Sequence, residues 1–174
     1  MNKKLLYLKR MALGLCLAFC SVSVSADVYL NETFDKLGSG VPADWGRSGD
    51  IVAKFQFTAN SAGYSGMCLR FDSHCDGGAL CNDQTMKGKS DILMTPTVVV
   101  DGNVMVSFWY RNPAGGEFAV YASRDNGATY LSNIVLEPVT GVANWTLCQV
   151  AVPANAGDKF KLVFVATSNA SDPK

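Results

Sequence analysis

The chain has one histidine, His74, among 174 residues, and 17% of its side chains are charged. A Ser-His-acid triad would therefore have to use His74, which sits in a Gly- and Cys-rich stretch. Gly63-Tyr64-Ser65-Gly66 only half resembles a nucleophile elbow, because Met67 stands where the second glycine belongs. The carboxylates are scattered, and no pair can be given acid and base roles from spacing. These absences point to a non-catalytic protein; the competing reading is a secreted hydrolase using Ser65 and His74. Beyond residue 26 there is no convincing helical window, no internal repeat and no linker.

Long hydrophobic runs are also missing, apart from Met11–Val24. That run is too short to span a bilayer. It follows Lys3, Lys4, Lys9 and Arg10 and ends in the small-residue site Val24-Ser25-Ala26, the pattern of a secretory signal peptide over 1–26 rather than an uncleaved anchor. Cys16 and Cys20, preceded by Leu15 and Phe19, do not fit lipoprotein cleavage. The 148 residues that remain of 174 make one domain, 27–174, long enough to bury a core. Setting aside the four basic residues of the leader leaves 11 basic against 15 acidic side chains, a formal charge of −4. No basic stripe survives, which disfavours nucleic acid and anionic membranes as partners. The expected place of work is outside the cell or at its surface.

What is present is β pattern. In Val104–Ser123, Val104, Val106, Phe108 and Tyr110 share one face, and Phe118, Val120 and Ala122 can match them. Asn112-Pro113-Ala114-Gly115-Gly116 between them predicts a tight turn, hence a central hairpin. Its other face mixes Met105, Trp109, Ala119 and Tyr121 with Ser107, Arg111, Glu117 and Ser123, a face that is covered or binds something. Further strands are expected at 28–34, 51–58, 67–72, 92–95, 97–100, 132–137, 145–152 and 159–167. Asp101-Gly102-Asn103 and Asp125-Asn126-Gly127 supply turns, and 73–89 is an ordered loop. Many short strands between such turns predict an all-β sandwich of two antiparallel sheets.

Four cysteines follow the leader: Cys68, Cys75, Cys81 and Cys148. An even count in an exported chain points to disulfides, with three possible connectivities. The favoured pairing is Cys75–Cys81, closing a short loop, with Cys68–Cys148, whose loop of about 80 residues would stabilise by roughly 4 kcal/mol. Zinc on Cys68, His74, Cys75 and Cys81 is the lesser reading, since no spacing is the CxxC of a structural site.

The order of these pieces resembles a known group. It runs from Glu32-Thr33-Phe34-Asp35 and Val41-Pro42-Ala43-Asp44-Trp45, through Gly66 and Cys68, to Asp91-Ile92-Leu93-Met94-Thr95-Pro96. Ser107-Phe108-Trp109-Tyr110 and Phe118-Ala119-Val120-Tyr121-Ala122-Ser123 come next, and Trp145 precedes Val150-Ala151-Val152-Pro153. The succession is similar to the cleaved-adhesin and choice-of-anchor domains of secreted bacterial proteins, found in gingipain-type proteases, and to the animal MAM domain. The resemblance implies a jelly-roll-like sandwich that serves as an adhesion or carbohydrate-binding module, often calcium-stabilised and often one unit of a larger protein. It also implies a further C-terminal strand with an acidic pair, where this sequence ends at Ser171-Asp172-Pro173-Lys174. The domain is thus expected to lack its last strand, baring an edge of Val28–Phe34 that a strand-donating partner would cover.

Candidate site residues follow. Calcium wants oxygen ligands; Glu32 matches the family's N-terminal glutamate, with Asp35 and Asp50 nearby in sequence. Tyr64, Tyr130 and Trp45 are the expected ligand-binding aromatics, able to stack on sugar rings or anchor a protein. Trp109 and Trp145, placed in strands, are expected in the core. Three Asn-x-Ser/Thr sequons, at Asn31, Asn144 and Asn169, matter only in a eukaryotic secretory pathway. The expected function is a secreted, non-catalytic module that engages glycan or extracellular protein. The other expectations are an accessory domain of a secreted hydrolase or protease, and a purely structural unit.

Overall fold

The computed structural model describes residues 27–32, 41–50, 55–58, 63–64, 66, 68–71, 87–113 and 116–169. Among the described residues there are ten strands: β1 Gly46–Gly49, β2 Phe55–Thr58, β3 Cys68–Phe71, β4 Ser90–Met94, β5 Val98–Val99, β6 Val104–Asn112, β7 Glu117–Ser123, β8 Ile134–Val139, β9 Val142–Val152 and β10 Lys159–Thr167. All strand pairs are antiparallel. The larger sheet runs β1-β4-β10-β7-β8, with β5 also on β10, while β6 pairs β9 and β2 pairs β3. The expected all-β antiparallel sandwich is what the chain forms.

Pleat parity decides which side chains meet. Across the larger sheet Leu93 sits opposite Phe164, Phe164 opposite Val120, and Val120 opposite Leu136, so the four share a face. Two apolar clusters lie on that face. In one, Val104, Val106, Cys148 and Val152 of β6 and β9 meet Val120, Ala122, Val135 and Phe160. In the other, Phe55 of β2 and the loop residue Trp45 meet Leu93 and Ala166. Phe164 and Phe118 pack against both. The β6–β9 and β2–β3 pairs therefore form the second layer over a single face of the larger sheet.

This corrects the expected hairpin. β6 and β7 do not pair: they belong to opposite layers, and the chain passes from one layer to the other between Asn112 and Gly116. Apolar rows on consecutive strands suit edge-to-edge and face-to-face arrangement equally. A side chain settles which one forms here. Asn112 Nδ2 donates to the Gly116 carbonyl (2.6 Å) and to the Val139 carbonyl at the end of β8 (2.9 Å), holding the corner against the larger sheet.

Of the expected first strand over 28–34, Thr33 and Phe34 lie outside the described residues. Residues 27–32 have no regular structure, with Val28 and Leu30 exposed. Tyr29 packs against the core and its hydroxyl donates to the Asp101 carboxylate, which raises the phenol's pKa. The sequence reading missed β1, which lies on the β4 edge. Asp91, fully buried, accepts the Phe55 N–H on Oδ2 (2.8 Å) and so ties β2 to β4.

Candidate binding face

The outward positions of β6 are Met105, Ser107, Trp109 and Arg111. Register places Ala151, Gln149 and Leu147 of β9 opposite the first three, and Trp145 follows on the same parity. The inward positions, from Val104 to Phe108 and from Cys148 to Val152, are consumed by the core. The outward row stays in solvent: Met105 is 62% exposed, Leu147 43% and Trp109 41%.

Tyr64 comes to this face from the other half of the layer. It is carried on a turn closed by the Gly63 N–H donating to the Gly66 carbonyl (2.8 Å). Its ring lies flat on Trp109, centroids 4.0 Å apart and planes 6° apart, and Trp145 meets it edge-on at 6.3 Å. The Arg111 guanidinium carbon stands 5.1 Å from the Trp145 ring centroid. Tyr64 remains 54% exposed. The result is an open aromatic platform flanked by one cation, with Ser107 and Gln149 paired beside it as neutral hydrogen-bonding groups.

Of the expected ligand-binding aromatics, Tyr64 belongs to this platform and the other two do not. Trp45 is buried, 8% exposed, and stacks on Phe164 with centroids 6.1 Å apart. Its loop drives it under the sheet, where it caps the second cluster. Tyr130 is half-buried and tilts against Tyr121 at 5.9 Å. That contact belongs to the loop after β7, which folds over the outer face of the larger sheet, and burial raises the Tyr121 pKa. Trp109 and Trp145 were expected in the core and stand instead on the platform. The alternation that puts Trp109 with Ser107 and Arg111 was the signal; being in a strand says nothing about which side of it a residue faces.

Two of the three metal candidates, Glu32 and Asp50, fall within the described residues. Asp50 is exposed and its Oδ2 receives the Ser90 N–H (3.3 Å), Glu32 is half-buried, and Asp35 lies outside the described residues. Among the described residues no three acidic, histidine or cysteine side chains gather as a metal site.

The pairing of Cys68 with Cys148 is also corrected. No disulfide joins them. Cys148 points into the first cluster, and its thiol donates to the Val135 carbonyl at 3.7 Å, while Cys68 opens β3 in a different strand pair. Burial pushes the Cys148 thiol's pKa up. Cys75, Cys81 and His74 lie outside the described residues.

No family model matches the chain, and neither does any curated protein. Among solved structures it is similar to the K3 cleaved adhesin domain of Lys-gingipain from Porphyromonas gingivalis w83, at 22% identity and a TM-score of 0.46, covering 75% of this chain and 91% of that one.

Proposed function

We propose that this chain is a secreted, non-catalytic binding module that engages glycan or extracellular protein at the cell surface through the outer face of β6 and β9. The observation that carries the reading is the Tyr64–Trp109–Trp145 platform with Arg111. Water-exposed aromatic rings of this size are costly unless something covers them, and Trp, Tyr and Arg are the side chains that dominate binding when desolvated. The export signal over 1–26 and the resemblance of the motifs to cleaved-adhesin domains support the same reading. Calcium belongs to the proposal only as a stabiliser. If it binds, the melting temperature rises in excess calcium relative to chelator, because only the folded chain assembles the ligands.

A glycan array together with a pull-down from matrix extract tests the reading, using the chain beside a Trp109→Ala, Trp145→Ala variant. A ligand captured by the first protein and lost by the second, with the variant still folded, is the expected result. Silence in both assays from folded protein would overturn it.

A further inference from the structure

Resting on this binding-face reading, we propose that the occupant is a glycan containing uronic acid, its pyranose ring stacked on the Tyr64–Trp109 platform and its carboxylate held by Arg111. The first argument is size. Four outward positions on each of two strands make a strip about 20 Å long and two strands wide. A stable protein interface takes roughly 20–30 residues a side. A sugar chain lying along the strip needs only the strip.

Charge is the second argument. The outward positions of β6 and β9 are Met105, Ser107, Trp109, Arg111, Trp145, Leu147, Gln149 and Ala151, which include one cation and no acid. Arg111 is oriented by its stack on Trp145, which leaves the guanidinium edge available to a carboxylate in two-point contact. A neutral sugar could take hydrogen bonds from that group but would leave its charge unpaired.

Geometry is the third. Arg111 follows Trp109 by two residues on the same face, about 7 Å along the strand. A ring stacked on the outer face of Tyr64, which itself covers Trp109, presents its in-plane substituents sideways, toward the long side chains around the pair. The carboxylate of a hexuronate is such a substituent, carried on a ring carbon and lying near the ring plane. In a sialic acid the carboxylate sits on a fully substituted carbon and leaves the ring plane. Ser107 and Gln149, beside Trp109 on the opposite side from Arg111, are placed to take ring hydroxyls.

The test uses the chain and three probes: a galacturonate tetramer, the same tetramer with its carboxylates reduced to alcohols, and 3′-sialyllactose. Affinity is read from tryptophan emission and calorimetry. The expected order is galacturonate tighter than its reduced form by roughly tenfold or more, the size of a charge-assisted contact, with sialyllactose no better than the reduced form. Arg111→Gln should erase the preference, bringing galacturonate to the affinity of the reduced tetramer on the same variant, and Arg111→Lys should keep only part of it. Trp109→Ala should lose both tetramers, with a melting curve confirming that it folds. Equal affinity for the two tetramers, an Arg111→Gln variant that keeps the preference, or sialyllactose matching galacturonate overturns the uronate assignment. If a protein is captured through Trp109 while no sugar binds, the binding-module reading stands and this inference falls.

Discussion

Trp45 and Trp109 show how little a residue's element says about its burial. Trp45 sits in a loop and ends up 8% exposed, stacked on Phe164 beneath the larger sheet. Trp109 sits mid-strand in β6 and is 41% exposed, with Tyr64 laid over it. The loop residue is part of what holds the layers together, whereas the strand residue is part of what the layers present. Substitution should separate them most clearly. Trp45→Ala removes a large ring from a packed cluster containing Phe55, Leu93 and Ala166, and is expected to cost about 3–5 kcal/mol. Urea melts of the two alanine variants check this; comparable losses would break the comparison.

Residue alternation made part of this legible. Val104, Val106 and Phe108 on one parity and Met105, Trp109 and Arg111 on the other are read directly from β6, and the structure keeps that division. What alternation cannot supply is the partner across the sheet. β6 and β7 carry matching apolar rows, yet they face each other across the sandwich; the corner is held by Asn112 hydrogen bonds to Gly116, close in sequence, and to Val139, 27 residues away, and the second partner is not legible locally. The same lack of long-range information explains the Cys68–Cys148 expectation, since spacing says nothing about which cluster each thiol enters. Tyr64 stands out in the sequence by its Gly and Ser neighbours, but its seat on Trp109 needs the β2–β3 side of the layer to be placed beside β6.

Cys148 gives the next effect. It sits opposite Phe108 on the inner face of β9, so Cys148→Ser buries a hydroxyl among valines and should cost about 1–3 kcal/mol. A thiol reagent should reach Cys148 only on unfolding. Because burial raises its pKa above the ordinary 9.0, the unfolded chain loses that proton first as pH rises. Stability should therefore begin to fall near pH 9, and Cys148→Val should lack that part of the slope. Prompt labelling of Cys148 in the native chain would show that it does not face the core.

A smaller effect sharpens the tryptophan comparison. Tyr64→Ala removes one stacked ring from a surface and should cost about 0.5–1.5 kcal/mol. Its main readout is spectroscopic. Acrylamide should quench two of the three tryptophans, Trp109 and Trp145, more readily after the substitution, while Trp45 emission stays protected. Quenching of Trp109 that Tyr64→Ala leaves unchanged would mean that the two rings do not stack in solution.

The smallest effect concerns why one outer face is open and the other is not. Over the larger sheet, the loop after β7 folds back so closely that Gly127, at φ +92°, would place a Cβ 3.2 Å from Met94 Sδ. Asp125 organises this loop. Its carboxylate accepts the Thr129 hydroxyl (2.6 Å), the Thr129 N–H (2.9 Å) and the Ser123 hydroxyl (2.7 Å). Those donors, the Thr129 hydroxyl foremost, favour the charged form and hold its pKa at about 2 against an ordinary 3.8. The folded-state value is the lower one, so the contribution is complete above pH 3.8 and is lost as pH falls from there toward 2. Asp125 is exposed, which keeps the effect small. Asp125→Asn should flatten the melting-temperature profile over that window and loosen Tyr130 from Tyr121, while leaving quenching of Trp109 and Trp145 untouched. Parallel acid profiles for the two proteins would show that the loop is held by something other than this carboxylate.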